Sequence, residues 1–214
     1  MARRAVAALL LVGLMLTSGC IGFLTGGEAL YFDSGTVSET DAAKSDTGYE
    51  LERQGANNLT RTFSVAGQER NVTVTNHYAE YSRTADAPLF GDTKVSRFSV
   101  FATPQVEIAG QGPFNPVSRM SNRELVLRLQ QQYSAIEDVQ FVSNRTVTML
   151  GEETTVSKYN ATATMEGGQE VEVTIHITKV QTESDFVIAA AVHPTKVDEQ
   201  QEVDRMLEGV QHSE

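Results

Sequence analysis

Four histidines, His77, His176, His193 and His212, and a single cysteine, Cys20, are the residues of this 214-residue chain best suited to metal, acid–base or nucleophilic chemistry. A metal site needs several such side chains to converge, usually with a carboxylate among them. His176 lies in the alternating run Glu170 to Thr178, beside Glu172 and Thr174, and His193 closes the apolar run that starts at Phe186. If those runs are neighbouring strands, His176 and His193 with one carboxylate are candidate zinc ligands. A solvated sheet face, or a histidine packed under a helix, accounts for the same pattern. The chain has no Gly-x-Gly-x-x-Gly, no Walker loop, no Gly-x-Ser-x-Gly elbow and no His-Glu-x-x-His, so no cofactor is implied and no residue is assigned as catalytic. Glu152-Glu153, Glu170/Glu172 and Asp198 to Glu202 read as solvated acidic faces in a chain this acidic.

Cys20 has a different role. Arg3 and Arg4 form a positive start, Ala5 to Thr17 an apolar core, and Ser18-Gly19 two small residues directly before the cysteine. An apolar stretch of this length fits a secretory signal of ~7–15 residues better than a membrane span of ~20. The spacing resembles a lipobox, in which cleavage after Gly19 makes Cys20 the first residue and its thiolate is alkylated by a lipid; Thr17 departs from the usual aliphatic residue. The Arg3-Arg4 pair resembles a twin-arginine signal at the pair itself only. An uncleaved anchor helix over 5–24 is the competing reading, and it also places the chain outside the cell. The expectation is a signal peptide at 1–19, a lipid-anchored tether at 20–36, and localisation on the extracellular face of the cell membrane.

Export gives meaning to four N-x-Thr sequons, at Asn58, Asn71, Asn144 and Asn160. Asn58 reads as a loop residue. Asn144 and Asn160 fall at or in expected strands, so a glycan there requires that they face outward.

The elements that position these residues come next. With 17 basic and 28 acidic residues the net charge is -11, which repels phosphate backbones and argues against nucleic-acid partners. Acidity with scarce lysine also fits a high-salt environment. Export would leave Cys20 no disulfide partner, so stability must come from the core alone. Residues 61–79 align without gaps on 145–163, with seven identities in 19 positions, among them Gly67/Gly151 and Asn76/Asn160. Ser38 with Asp41 and Ser121 with Glu124 have the spacing of helix capping boxes. The expected order is a helix (38–46), a hairpin and a strand (93–103) in a first unit, 37–118. A second unit, 119–212, repeats it with a helix (121–136), strands 144–150, 154–164, 169–180 and 186–192, and a closing helix (198–210). Val171, Val173, Ile175 and Ile177 should face inward and Glu170, Glu172, Thr174, His176 and Thr178 outward. Phe186 to Val192 should be a central strand covered on both faces. The fold class is therefore α+β: antiparallel sheets with helices packed on one side, in two tandem similar units.

Cys20-Ile-Gly-Phe-Leu, FSVAGQERNVTVTN, ATPQVE, FNPVSRMSNREL and LGEETTVSKY resemble an uncharacterised lipoprotein family of halophilic archaea. That resemblance implies location and salt context and supplies no chemistry. More loosely, the order of elements is similar to the PsbP/Mog1-like α/β/α sandwich. The expected function is a lipid-anchored binding or interaction module, its partners being the membrane through Cys20 and a surface protein or small ligand. The alternative is an envelope hydrolase or metal-dependent enzyme. A deep pocket gathering His176, His193 and acids would favour the enzyme; a shallow groove would favour the binding module.

Overall fold

The computed structural model describes residues 29–65, 68–84, 94–108, 112–113, 115–132, 135–164 and 168–213. The expected signal segment with Arg3, Arg4 and Gly19, Cys20, the expected tether as far as residue 28, Gly67 and Tyr133 lie outside them.

The described residues begin with β1 (Leu30–Asp33) and β2 (Thr36–Glu39), then the short helix α1 (Asp41–Thr47). Helix α1 is capped by Thr40, whose hydroxyl accepts the Ala43 N–H at 3.2 Å, and ends at Gly48 with φ 73°, the left-handed conformation a C-terminal glycine supplies. The expected start at Ser38 is displaced because residues 36–39 pair with β12 (Val210–Ser213) instead. A long hairpin follows, β3 (Glu50–Val65) and β4 (Gln68–Thr84), then β5 (Lys94–Pro104) and the two-residue strands β6 (Glu107–Ile108) and β7 (Gly112–Pro113). A 3₁₀ turn at Pro116–Arg119 leads into α2 (Asn122–Gln132). Its capping box forms as the sequence indicates: Glu124 N–H donates to the Ser121 hydroxyl at 3.3 Å, and Ser121 N–H to the Glu124 carboxylate at 2.7 Å. Then come β8 (Ile136–Met149), β9 (Glu152–Thr164), β10 (Glu170–Gln181), β11 (Asp185–Pro194) and α3 (Gln200–Gly209).

Two compact units result. One holds β1 as far as Phe32 with Asn58–Thr75; the other holds Asp33–Asn57 and Asn76–Glu214. The main sheet has eight strands in the order β1-β4-β5-β11-β10-β9-β8, with β3 paired to β4. Among the described residues, no helix is long and apolar enough to cross a membrane.

The expected α+β sandwich is corrected here. The fold is β-rich, and its helices are short and do not share one side of a sheet. The strands expected in separate units join one sheet, because β5 pairs with β11 from Arg97↔Val192 to Pro104↔Asp185. Strand β11 shows why helices must cover two faces. Its Val187, Ala189 and Ala191 pack with Val203, Met206 and Leu207 of α3 and Ala43 of α1. Its Ile188, Ala190 and Val192 pack with Leu125 and Val126 of α2. Successive residues of a strand point to opposite faces, so α1 and α3 cover one face and α2 the other. The apolar run at 186–192 is the central strand its composition indicates. The expected outward face of β10 divides: Glu170 and Glu172 are exposed, while Thr174 and His176 are 1% exposed and Thr178 is not exposed at all.

Candidate functional site

On the α3 face of the sheet, β8, β10 and β11 contribute Arg145, His176 and His193. The two imidazoles stack with centroids 5.2 Å apart, and their Nε2 atoms are 3.1 Å apart. Arg145 Nη1 lies 2.8 Å from His176 Nδ1, and its Nε donates to Asp204 of α3 at 2.8 Å. A guanidinium only donates, which sets every proton in the chain. His176 Nδ1 accepts from Arg145, His176 Nε2–H donates to His193 Nε2, and His193 Nδ1–H is left for the Pro194 carbonyl at 3.1 Å. Burial, then the Arg145 charge, push the His176 pKa down to about 3. Burial also lowers that of His193. The structure thus brings the two sequence candidates together as a neutral, hydrogen-bonded pair whose ring nitrogens are all engaged. Among the described residues, no group of three His, Cys, Asp or Glu side chains is placed to share a metal ion.

The same face holds a carboxylate from the run Asp198 to Glu202, which was expected to be a solvated acidic face. Glu199, fully buried, accepts from Tyr49 Oη at 2.9 Å and from Ser96 Oγ at 2.6 Å, with Arg83 Nη1 4.0 Å away. Burial, then the Glu199 charge, hold the Tyr49 phenol well above its ordinary range. Two further acids are buried. Asp185 accepts Gly35 N–H at 2.9 Å and pairs with His212 Nε2 at 2.7 Å. Glu39 has neither carboxylate oxygen hydrogen-bonded, and burial pushes its pKa up to about 9. In sequence these acids look like any of the other carboxylates; only their neighbours distinguish them.

An opening lies elsewhere, on the α2 face. It is a groove of about 340 Å³ between the start of α2 and strands β8 and β9, near the lower end of the ~300–1,000 Å³ typical of ligand sites. Ser121, Asn122 and Arg123 line one wall; Phe141 and Asn144 of β8 and Ser157 and Tyr159 of β9 line the other. Asn122 ties the walls together, its amide donating to Thr155 O at 2.8 Å and to Ser157 Oγ at 3.0 Å. Phe141 stands 52% exposed, braced edge-on against the buried Tyr159 ring at 5.7 Å. The groove therefore offers an aromatic surface ringed by amide, hydroxyl and guanidinium groups, and neither His176 nor His193 lines it. Phe141 was not a sequence candidate; a Phe-Val pair in a strand reads as core.

The four sequon asparagines all lie on strands, and all are exposed. Asn58, expected in a loop, is inside β3. Asn71 accepts from Thr62 Oγ1 at 2.9 Å. Asn160 is on β9, and Asn144 is at the lip of the groove.

No curated protein matches this chain. A crystal structure of a protein of unknown function from Pseudomonas aeruginosa is similar over 64% of this chain and 84% of its own, at 8% identity and a TM-score of 0.31. The family model for the domain of unknown function DUF6517 matches residues 36–211, and the chain belongs to that family.

Proposed function

We propose that this protein is an exported, lipid-anchored binding module of a high-salt cell surface, held to the membrane through Cys20 and seating its ligand in the groove beside α2. The observation that carries this reading is the groove itself. It is open, it presents Phe141 to solvent, and its polar walls come from fixed backbone elements. Rigid aromatic surface with a few placed polar groups is the usual chemistry of recognition. The histidine pair, which would serve an enzyme, is buried and its nitrogens already engaged. The acidic composition supports the salt context, and the outward position of every sequon asparagine supports the surface location.

The test is a pull-down of the lipidated protein from its native membrane in high salt, with wild type and Phe141→Ala in parallel. The expected result is a partner retained by wild type and lost with the variant. Equal recovery by both would overturn the assignment to the groove. Cys20→Ser should release the protein from the membrane fraction; unchanged attachment would refute the lipid anchor.

A further inference from the structure

The groove holds a sequon, and the strand that carries it is bent so that its asparagine and its aromatic residue meet. In β8, Phe141 is opposite Tyr159 and Asn144 is opposite Ser157. Residues three apart on a regular strand point to opposite faces. Here the register shifts between Phe141 and Ser143, and a bulge inserts one extra residue. Phe141 and Asn144 therefore share a face, as Tyr159 and Ser157 do two residues apart on β9. All four side chains line the one groove. β8 is also the outermost strand of the main sheet, beyond β9, and both Asn144 and Thr146 of the sequon are exposed.

We propose that the groove is the seat of the first sugar of a glycan on Asn144, packed face-on against Phe141. This rests on the reading that the chain is exported. The donor is a sugar carried on a lipid-linked phosphate. Its C1–O bond to phosphate breaks and the electron pair leaves with the phosphate. C1 bonds to Asn144 Nδ2, and one amide proton is released. The sugar then starts at the groove lip. A pyranose has an apolar C–H face and a rim of hydroxyls. The face matches the exposed Phe141 ring, and the rim matches Ser121, Arg123 and the free carbonyl side of Asn122, whose amide nitrogen is already engaged. Covalent attachment makes the encounter intramolecular, so even weak stacking is populated. A glycan seated in this way becomes part of the surface that a partner meets at the groove, with Phe141 supporting both.

The experiment uses the full chain with Asn58→Gln, Asn71→Gln and Asn160→Gln, so that Asn144 is the only acceptor, made in its native host and in a bacterial host that lacks the transferase. Glycopeptide masses should show Asn144 occupied in the native host. The glycan should raise Tm, and Phe141→Ala should remove most of that gain. Phe141→Leu, which keeps apolar bulk without the flat ring, should remove a large part of it. Nuclear Overhauser contacts between the Phe141 ring and the first sugar should be present. A bare Asn144, or an equal Tm gain with and without Phe141, overturns the proposal. In the unmutated protein, glycan on Asn58 or Asn71 with Asn144 bare would sink this inference and leave export standing. Four bare sites in a protein that external protease cannot reach on intact cells would sink export as well.

Discussion

His176 donates its Nε2 proton to His193 Nε2 across 3.1 Å, and the Arg145 guanidinium at its other nitrogen fixes that direction. An imidazolium at His176 would lose the bond from Arg145 and sit beside a like charge in a buried place. Its pKa, about 3, lies below the ordinary imidazole value of 6.5. A group depressed in this way stabilises the fold fully above 6.5 and loses that contribution as pH falls toward 3. His176→Gln should therefore flatten the acid limb of a Tm-against-pH curve between those values, while lowering Tm at neutral pH. An acid limb identical to wild type would show that His176 titrates freely.

The same pair makes a statement about zinc. Binding through His176 and His193 would require breaking the Arg145 or the interimidazole hydrogen bond. We expect no change in Tm on adding zinc at neutral pH. A rise in Tm that His193→Gln abolishes would instead establish a metal site.

Glu39 titrates in the opposite sense. Its pKa is raised from 4.5 to about 9 by burial, so its favourable contribution is complete below 4.5 and is lost as pH rises toward 9. Glu39→Gln should make Tm less sensitive to pH across that window, with the largest relative gain at its alkaline end. Parallel curves for variant and wild type would contradict the buried, neutral acid.

Tyr49→Phe removes the 2.9 Å donor to the buried Glu199, and Ser96→Ala the 2.6 Å donor. Each should cost ~1.5–3 kcal/mol, as for hydrogen bonds to charged groups. For a chain of this size that is ~2–4 °C in Tm per kcal/mol. Because both act on one carboxylate, the double variant should depart from the sum. Denaturant midpoints of the four proteins measure the coupling.

Gly209 is where α3 meets α1. A Cβ there would lie 2.4 Å from Ala43 Cβ and 2.9 Å from Glu39 Oε2. Gly209→Ala should cost ~1–3 kcal/mol by overpacking, read as a lower denaturant midpoint. A neutral result would mean that the two helices separate easily.

Sequence alone determined what is local. Ser121 and Glu124 are three residues apart, and a capping box needs only that spacing. Strand positions followed from alternation, and the apolar run at Phe186 from continuous burial. The proposed export signal and the sequons are contiguous motifs. Tertiary structure decided what depends on which strands become neighbours. His176 looked outward because its strand alternates, yet α3 covers that face; a helix supplied from the chain's end leaves no mark on β10. The expected two units merged because β5 and β11 pair across about 90 residues, a contact no period reveals. Phe141 and Asn144 share a groove through one inserted residue in β8, which reverses side-chain parity and cannot be read from the order of amino acids. The exposed ring, the buried acids and the silent histidine pair are all consequences of distance in space, and the chemistry of this surface follows from them.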